Sequence, residues 1–225
     1  MVGEQALHDY VLYDYWRSSA AYRVRIALNL KGLAYESRPV HLLREGGEQH
    51  APAYRALNPQ ELVPCLCEGG RVLTQSMAIV EYLEETHPAP PLLPADAAGR
   101  ARVRALAQLI ACDVHPLGNL RVLQRLETQF GADPAARGEW MRHWIAAGLQ
   151  AFEAHLADGA AGRYCHGDAP GLADVLLVPQ VYNALRWQLP LEDYPRLHGI
   201  HAACNELEAF RRAAPERQPD APPPA

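Results

Sequence analysis

The sequence predicts a small mixed α/β domain followed by an all-helical one. Two observations carry this. Over residues 10–86 the strand-like and helix-like stretches follow the order β-α-β-α-β-β-α, and after the proline-rich run "HPAPPLLPAD" at 87–96 the patterning is helical throughout. Proline cannot continue a helix, so that run reads as the domain boundary.

Residues 10–16 ("YVLYDYW") alternate apolar and polar positions as a half-buried strand does. Residues 22–31 ("YRVRIALNLK") bring Val24, Ala27, Leu28 and Leu30 onto one helical face before Gly32 stops the helix. Arg23 and Arg25 then fall off that face and read as solvated or ion-paired charges. "YESRPVHL" reads as the second strand, "HAPAYRAL" as a short helix, Asn58-Pro59 as a turn and 62–67 as the third strand. Glu68-Gly69-Gly70 makes a hairpin turn into strand 71–74, and a helix runs from Ser76 to Thr86. Beyond the linker, helices are expected over 98–130, 134–157, 171–186 and 195–213, separated by "FGADP", "DGAAGRYCHGDAP" and "QLPLEDYP". The domains are therefore expected at 10–88 and 97–217. Flexible termini are expected at 1–9 and 218–225, where the tail lacks apolar residues to pack.

Composition narrows the function. A chain of 225 residues is long enough for two cores, and its net charge of -5 argues against coating nucleic acid or an anionic membrane. No apolar run approaches the roughly 18 to 20 residues of a membrane-spanning helix, and "MVGEQALHDY" lacks the basic and apolar regions of a signal peptide. A cytoplasmic protein with small-molecule or protein partners is expected, with no nucleic acid and no membrane. The five cysteines, Cys65, Cys67, Cys112, Cys165 and Cys204, form no CxxC pair and have no histidine at zinc spacing. They read as reduced, mostly buried thiols, and no metal is expected.

Three stretches carry candidate chemistry. "RSSAAYRVRIAL" places Arg17, Ser18 and Ser19 at a strand-to-helix junction, where helix N–H groups without partners meet the positive end of the macrodipole. Val63-Pro64 leads a strand in an order where two antiparallel elements follow, a position suited to a cis bond that turns backbone amides toward a ligand. Gln75-Ser76 opens a helix whose first N–H groups would receive a carboxylate, with the Ser76 hydroxyl as a further donor. Taken singly, Pro64 reads as a trans proline and Ser76 as a plain cap.

Together these pieces resemble a glutathione transferase, a thioredoxin-like domain followed by a helical domain. More narrowly, "YDYWRSSAAYRVRIALNLKG", "ALNPQELVP", "TQSMAIVEYLEE", "LLPAD" and "LVPQVYNALRW" resemble the zeta class, which includes maleylacetoacetate isomerases, from about Tyr10 to Pro219. The resemblance implies a homodimer, with glutathione mainly on the first domain and the electrophile between the two. It gives Ser18 and Ser19 the place at the glutathione sulfur, and Gln75 with Ser76 the γ-glutamyl carboxylate. Val63 would bond the cysteinyl part, with Pro64 fixing the turn. Gln49, His115, Asn119 and Arg121 fall where the family also contacts glutathione or the nearby cleft. Arg17 and Arg186 correspond to the arginines that bind the carboxylates of a small dicarboxylic diketo acid. Two departures stand out: Ala20 replaces the family's cysteine after Ser-Ser, so no protein thiol is required there, and Gly171 replaces the usual Ser or Thr helix cap.

A free thiol with pKa near 8.5 is only a few per cent thiolate at pH 7, and lowering it by about two units corresponds to roughly 2.7 kcal/mol. Hydroxyl donors and a helix N-terminus supply such a shift. Ser18 is the first candidate for the direct donor and Ser19 the second. The implied reaction is glutathione-dependent cis–trans isomerisation of maleylacetoacetate, in aromatic amino-acid catabolism, by reversible thiolate addition. The rivals are isomerisation of maleylpyruvate, transferase chemistry on small α-halo acids, and a non-catalytic binding role. Where maleylpyruvate isomerases tend to carry a second arginine, this chain has Leu120 before Arg121. A dithiol oxidoreductase is disfavoured because the junction reads Ser-Ser-Ala-Ala.

Overall fold

Strand β1 (Tyr10–Asp14) buries alternate side chains, Tyr10, Leu12 and Asp14, as its period-2 pattern requires. It lies inside a four-stranded sheet of order β2-β1-β3-β4 in this computed structural model, which describes residues 9–223. Strand β2 (Tyr35–Pro39) is parallel to β1, pairing Tyr10 with Tyr35 and Asp14 with Pro39. Parallel neighbours need a crossover, and helix α1 (Ser19–Leu30) supplies it. After the short α2 (Pro52–Leu57), strand β3 (Cys65–Glu68) returns antiparallel to β1, and β4 (Arg71–Thr74) completes a hairpin with it. Gly69 and Gly70 have φ of 50° and 85°, the two left-handed positions that a tight hairpin turn demands of its central pair. Helix α3 (Ser76–Thr86) then packs against α1.

The two arginines of α1 are not solvated. Arg23 and Arg25 are 2% and 0% exposed, because α1 is covered by α3 on one side and by α9 (Glu208–Ala213) on another. The sequence expectation of charges on a free face is thus corrected: Arg25 is the ion-paired alternative, bonded to buried Asp14 at 2.7 Å. At the other end of α1, the buried Lys31 ammonium bonds Glu84 at 2.5 Å and the carbonyls of His87 and Pro90 at 2.7 and 2.8 Å. Three oxygens around one ammonium compensate its desolvation and tie α1 to the end of α3.

The second unit runs over Pro91–Leu207. It contains α4 (Ala97–Gln108), α5 (Leu120–Phe130), α6 (Pro134–His155), α7 (Leu172–Arg186) and α8 (Pro195–Asn205). The single helix expected over 98–130 is broken by a wide π turn at Leu109–Val114 and a 3-10 turn at His115–Gly118. Pro116 has no N–H for the ladder, and Asn119 restarts the helix by accepting the Arg121 N–H at 3.1 Å. Helix α7 is apolar and buried nearly all round from Leu172 to Val181.

The expected boundary at 217 is also corrected. The chain from Glu208 onward belongs to the first unit, where α9 covers α1. The helix expected over 195–213 is two, α8 and α9, broken at Glu206-Leu207, and periodicity does not say which apolar face α9 covers. Of the termini expected to be flexible, residues 1–8 and 224–225 lie outside the described residues. Gln218 is buried, with its amide donating to the carbonyls of Arg212 and Ala214, and Asp220 is bonded to Trp16. These bonds correct the expectation of a flexible tail at Gln218 and Asp220, whose side chains find partners that composition does not reveal.

Candidate functional site

The turn from β1 into α1 is held from both sides. The Trp16 N–H donates to Asp220 Oδ2 at 3.0 Å, and the Trp16 carbonyl accepts from Arg25 Nη2 at 3.0 Å. Arg25 itself donates through Nη1 to both Asp14 oxygens, at 2.8 and 2.7 Å, and through Nε to the Ala213 carbonyl at 2.9 Å. Burial pushes the Asp14 carboxyl pKa up, and Arg25 opposes that shift. The next residues, Arg17 and Ser18, therefore hang from a buried charge pair and a carboxylate of the C-terminal tail.

Ser18 caps α1. Its backbone is extended, and its Oγ accepts the Ala21 N–H at 3.2 Å. Because that contact uses a lone pair, the hydroxyl proton remains available to donate, beside the first N–H groups of a 12-residue helix. Ser19 is the first helical residue and half-buried, followed by Ala20. The Arg17 guanidinium stacks over the Trp16 ring, 5.3 Å from its centroid, and forms no ion pair among the described residues.

The Val63-Pro64 bond is cis, the alternative favoured by its neighbours in the sequence. Asn58, 1% exposed, and Tyr54 both donate to the Leu62 carbonyl, at 2.7 and 2.6 Å. Asn58 Oδ1 also accepts the Gln60 N–H at 3.0 Å. Asn58 and Tyr54 thus set the residue before Val63, a role missed by reading Asn58-Pro59 only as a turn signal. Val63 and Pro64 stand ahead of the ladder, whose first pair is Cys65 with Thr74.

Gln75 sits at φ 70°, ψ 114°, a conformation that costs a non-glycine residue about 1–3 kcal/mol and that clusters at ligand clamps. Its Nε2 donates to Gln60 Oε1 at 2.7 Å, joining the head of α3 to the Asn58 turn. Ser76 begins α3, is 7% exposed, and its Oγ accepts from Arg23 Nη1 at 3.1 Å. As at Ser18, the occupied lone pair leaves a hydroxyl proton to give. Gln49 lies buried in the 3-10 turn Glu48–His50, and its Oε1 has no partner among the described residues. A Cβ at Gly47, whose φ is 111°, would come within 2.4 Å of the Gln49 amide, so only glycine leaves that amide its place.

The remaining candidates belong to the second unit. His115 opens the 3-10 turn before α5, and Arg121 is exposed in the first turn of α5. The Asn119 carbonyl oxygen is committed to its cap, leaving the amide nitrogen for any ligand. Arg186 ends α7, exposed, with its guanidinium over the Trp187 ring at 5.2 Å. Gly171 is explained by its surroundings: a Cβ would lie 2.9 Å from the Leu92 carbonyl oxygen, which also accepts the Leu172 N–H at 2.8 Å. Asp174 takes over the capping, accepting from Gly171 N–H at 2.8 Å and Cys165 N–H at 2.9 Å. All five cysteines are free, and burial raises the thiol pKa of Cys65, Cys165 and Cys204, which keeps them protonated.

The first unit thus presents two helix heads, each with a half-used hydroxyl, a strained Gln75 and an orphaned amide oxygen at Gln49. The chain matches the glutathione S-transferase N-terminal domain model over residues 12–91 and the glutathione S-transferase C-terminal domain model over 134–203. It is 56% identical to a probable maleylacetoacetate isomerase of Vibrio cholerae, over 94% of this chain and 98% of that one. A holo maleylpyruvate isomerase, described as a bacterial zeta-class glutathione S-transferase, superposes with a TM-score of 0.92 at 55% identity, covering 94% of this chain and 100% of that one. A maleylacetoacetate isomerase of Anaeromyxobacter dehalogenans, with glutathione bound in its active site, gives a TM-score of 0.84 at 53% identity, covering 95% and 98%.

Proposed function

The chain belongs to the glutathione S-transferase family, and from that premise we propose that it is a glutathione-dependent isomerase converting maleylacetoacetate to fumarylacetoacetate. The observation that carries the reading is the β1–α1 turn, where the Ser18 hydroxyl caps the helix head beside Arg17, which forms no ion pair among the described residues. When bound, glutathione supplies a thiolate that adds to the cis double bond and leaves after rotation, so that it is regenerated.

Ser18, with Ser19 as the alternative, donates to the sulfur and, with the head of α1, keeps it ionised. Gln75 and Ser76 hold the γ-glutamyl carboxylate at the head of α3. The Val63 backbone, set by Pro64 and by the Asn58 and Tyr54 bonds, meets the cysteinyl amide, and the unpartnered Gln49 Oε1 accepts an N–H of the tripeptide. Arg17 and Arg186 bind substrate carboxylates, matching planar donor forks to planar oxyanions. His115, Asn119 and Arg121 are assigned a supporting contact role by resemblance. As charge moves from sulfur into the substrate, fixed donors stabilise it without reorganisation. The same resemblance supports a cytoplasmic homodimer.

Maleylpyruvate is the second reading, favoured by the 55% identity to an isomerase of that name. Leu120, where a second arginine would stand beside Arg121, favours maleylacetoacetate. The test is loss of maleylacetoacetate absorbance with and without catalytic glutathione, beside the same assay on maleylpyruvate. Glutathione-dependent turnover of maleylacetoacetate, crippled by Arg17→Ala, is expected. Far faster turnover of maleylpyruvate would replace the substrate, and no turnover of either would overturn the isomerase reading.

A further inference from the structure

A concavity of about 670 Å³ opens at the C-terminal end of α1, walled by the start of β2, by α9 and by the tail after it. None of the residues assigned above to glutathione or substrate lines it. Its charged lining is Glu208, Arg211, Arg212 and Arg217. Glu208 is already answered, since Arg211 donates to its Oε2 through Nε and Nη2 at 3.1 and 2.9 Å. Arg212 and Arg217 are exposed and form no ion pair with any described carboxylate, so the lining carries two uncompensated positive charges in a protein of net charge -5.

Two neutral groups complete the wall. Ser37 Oγ is buried without a hydrogen-bond partner among the described residues, a group that a water or a ligand in the concavity would complete. Burial pushes the Tyr35 phenol up to about 12, so at neutral pH it remains a donor. Leu33 and Pro219 supply apolar surface beside them. Guanidinium forks match carboxylate and phosphate oxygens in pairs, and the volume falls in the range of small-molecule pockets.

We propose that this concavity is a second ligand site, separate from the glutathione site, for a small organic dianion: a phosphomonoester or dicarboxylate on a compact apolar body. Two charges on the ligand meet Arg212 and Arg217, its oxygens accept from Ser37 and Tyr35, and its body lies against Leu33 and Pro219. A bare inorganic ion would leave that apolar wall uncovered.

Calorimetric titration tests this on the full chain saturated with glutathione, using phenyl phosphate, phthalate and inorganic phosphate as probes. Saturable one-to-one binding of phenyl phosphate or phthalate is expected, tighter than that of inorganic phosphate; which of the two binds more tightly identifies the acid group. Arg212→Ala and Arg217→Ala should each weaken it about tenfold, as loss of a charge-assisted hydrogen bond does, with melting temperature and glutathione affinity unchanged. Ser37→Ala should weaken it several-fold. The proposal is overturned if neither organic dianion binds, if the arginine variants bind as wild type does, if glutathione abolishes the binding, or if inorganic phosphate binds as tightly as phenyl phosphate.

Discussion

At Ser18 one hydroxyl accepts the Ala21 N–H, and on the proposed function it also donates its proton to the glutathione sulfur. Removing it should therefore have two separable effects. Ser18→Ala should lose about 0.5–2 kcal/mol of stability with the cap, while the pKa of enzyme-bound glutathione thiol rises by one unit or more toward 8.5. Thiolate absorbance against pH reads the second effect, and Ser18→Thr, which retains both functions, should restore it. An unchanged thiol pKa in Ser18→Ala would pass the role to Ser19. Asp220 acts at one remove, fixing the Trp16 N–H just before Arg17. Asp220→Ala leaves that donor unsatisfied, and turnover should fall several-fold while the melting temperature drops by an amount equivalent to about 1–3 kcal/mol. Equal turnover in that variant would show that the turn needs no support from the tail. The place of Ser18 at the head of α1 was legible because a hydroxyl just ahead of an apolar helical pattern is an N-cap signal. Asp220 was not, because a carboxylate in a proline-rich tail has no local pattern and acquires its partner 204 residues away.

At the scale of elements, α1 does most of the organising. It is buried from Ala21 to Leu28, so Arg23 and Arg25 must find their partners inside the protein. Asp14→Ala should cost about 3–5 kcal/mol, because it strands the Arg25 charge, whereas Asp14→Ala with Arg25→Leu should recover a large part of the loss. Urea denaturation of the two variants measures the difference, and equal losses would mean that the pair's attraction, rather than the stranded charge, dominates. The α7 head makes the opposite point about propensity. Ser is a better cap than Gly in isolation, yet Gly171→Ser should destabilise by about 1–3 kcal/mol, since its Cβ would meet the Leu92 carbonyl oxygen at 2.9 Å. A rise in melting temperature would show that the Leu92 segment yields. Periodicity located α1, α3 and β4 because each has one apolar pattern between clear stop signals. It overran at 98–130 because both sides of the break are helical, and only the missing N–H of Pro116 and the Asn119 cap mark the interruption.

For the whole molecule, the order of elements was readable because turns and caps are local, while the return of the chain from Glu208 to cover α1 was not, because one apolar helix face is compatible with many covers. Stability against pH is likewise a property of the ensemble of buried groups, and its terms have opposite signs. Burial, with the neighbouring His198 second, lowers the His201 pKa from 6.5 to about 4. The unfolded chain then binds more protons than the folded one between pH 4 and 6.5, so this residue makes stability rise with pH across that window. Its contribution is complete above pH 6.5, is lost as pH falls through 4, and is bounded at roughly 3 kcal/mol by the size of the shift. Asp14 and Asp174 act the other way, since burial raises their pKa and the folded state holds their protons longer. The slope for the intact protein mixes these terms, and subtraction isolates one of them. His201→Gln, which retains a polar group beside Asn205, should show the wild-type urea midpoint dependence minus the histidine's share: a smaller loss of stability on acidification from pH 6.5 to 4, and no difference in slope above 7. Parallel profiles for the two proteins would mean that His201 takes up its proton in the folded state as readily as in the unfolded one.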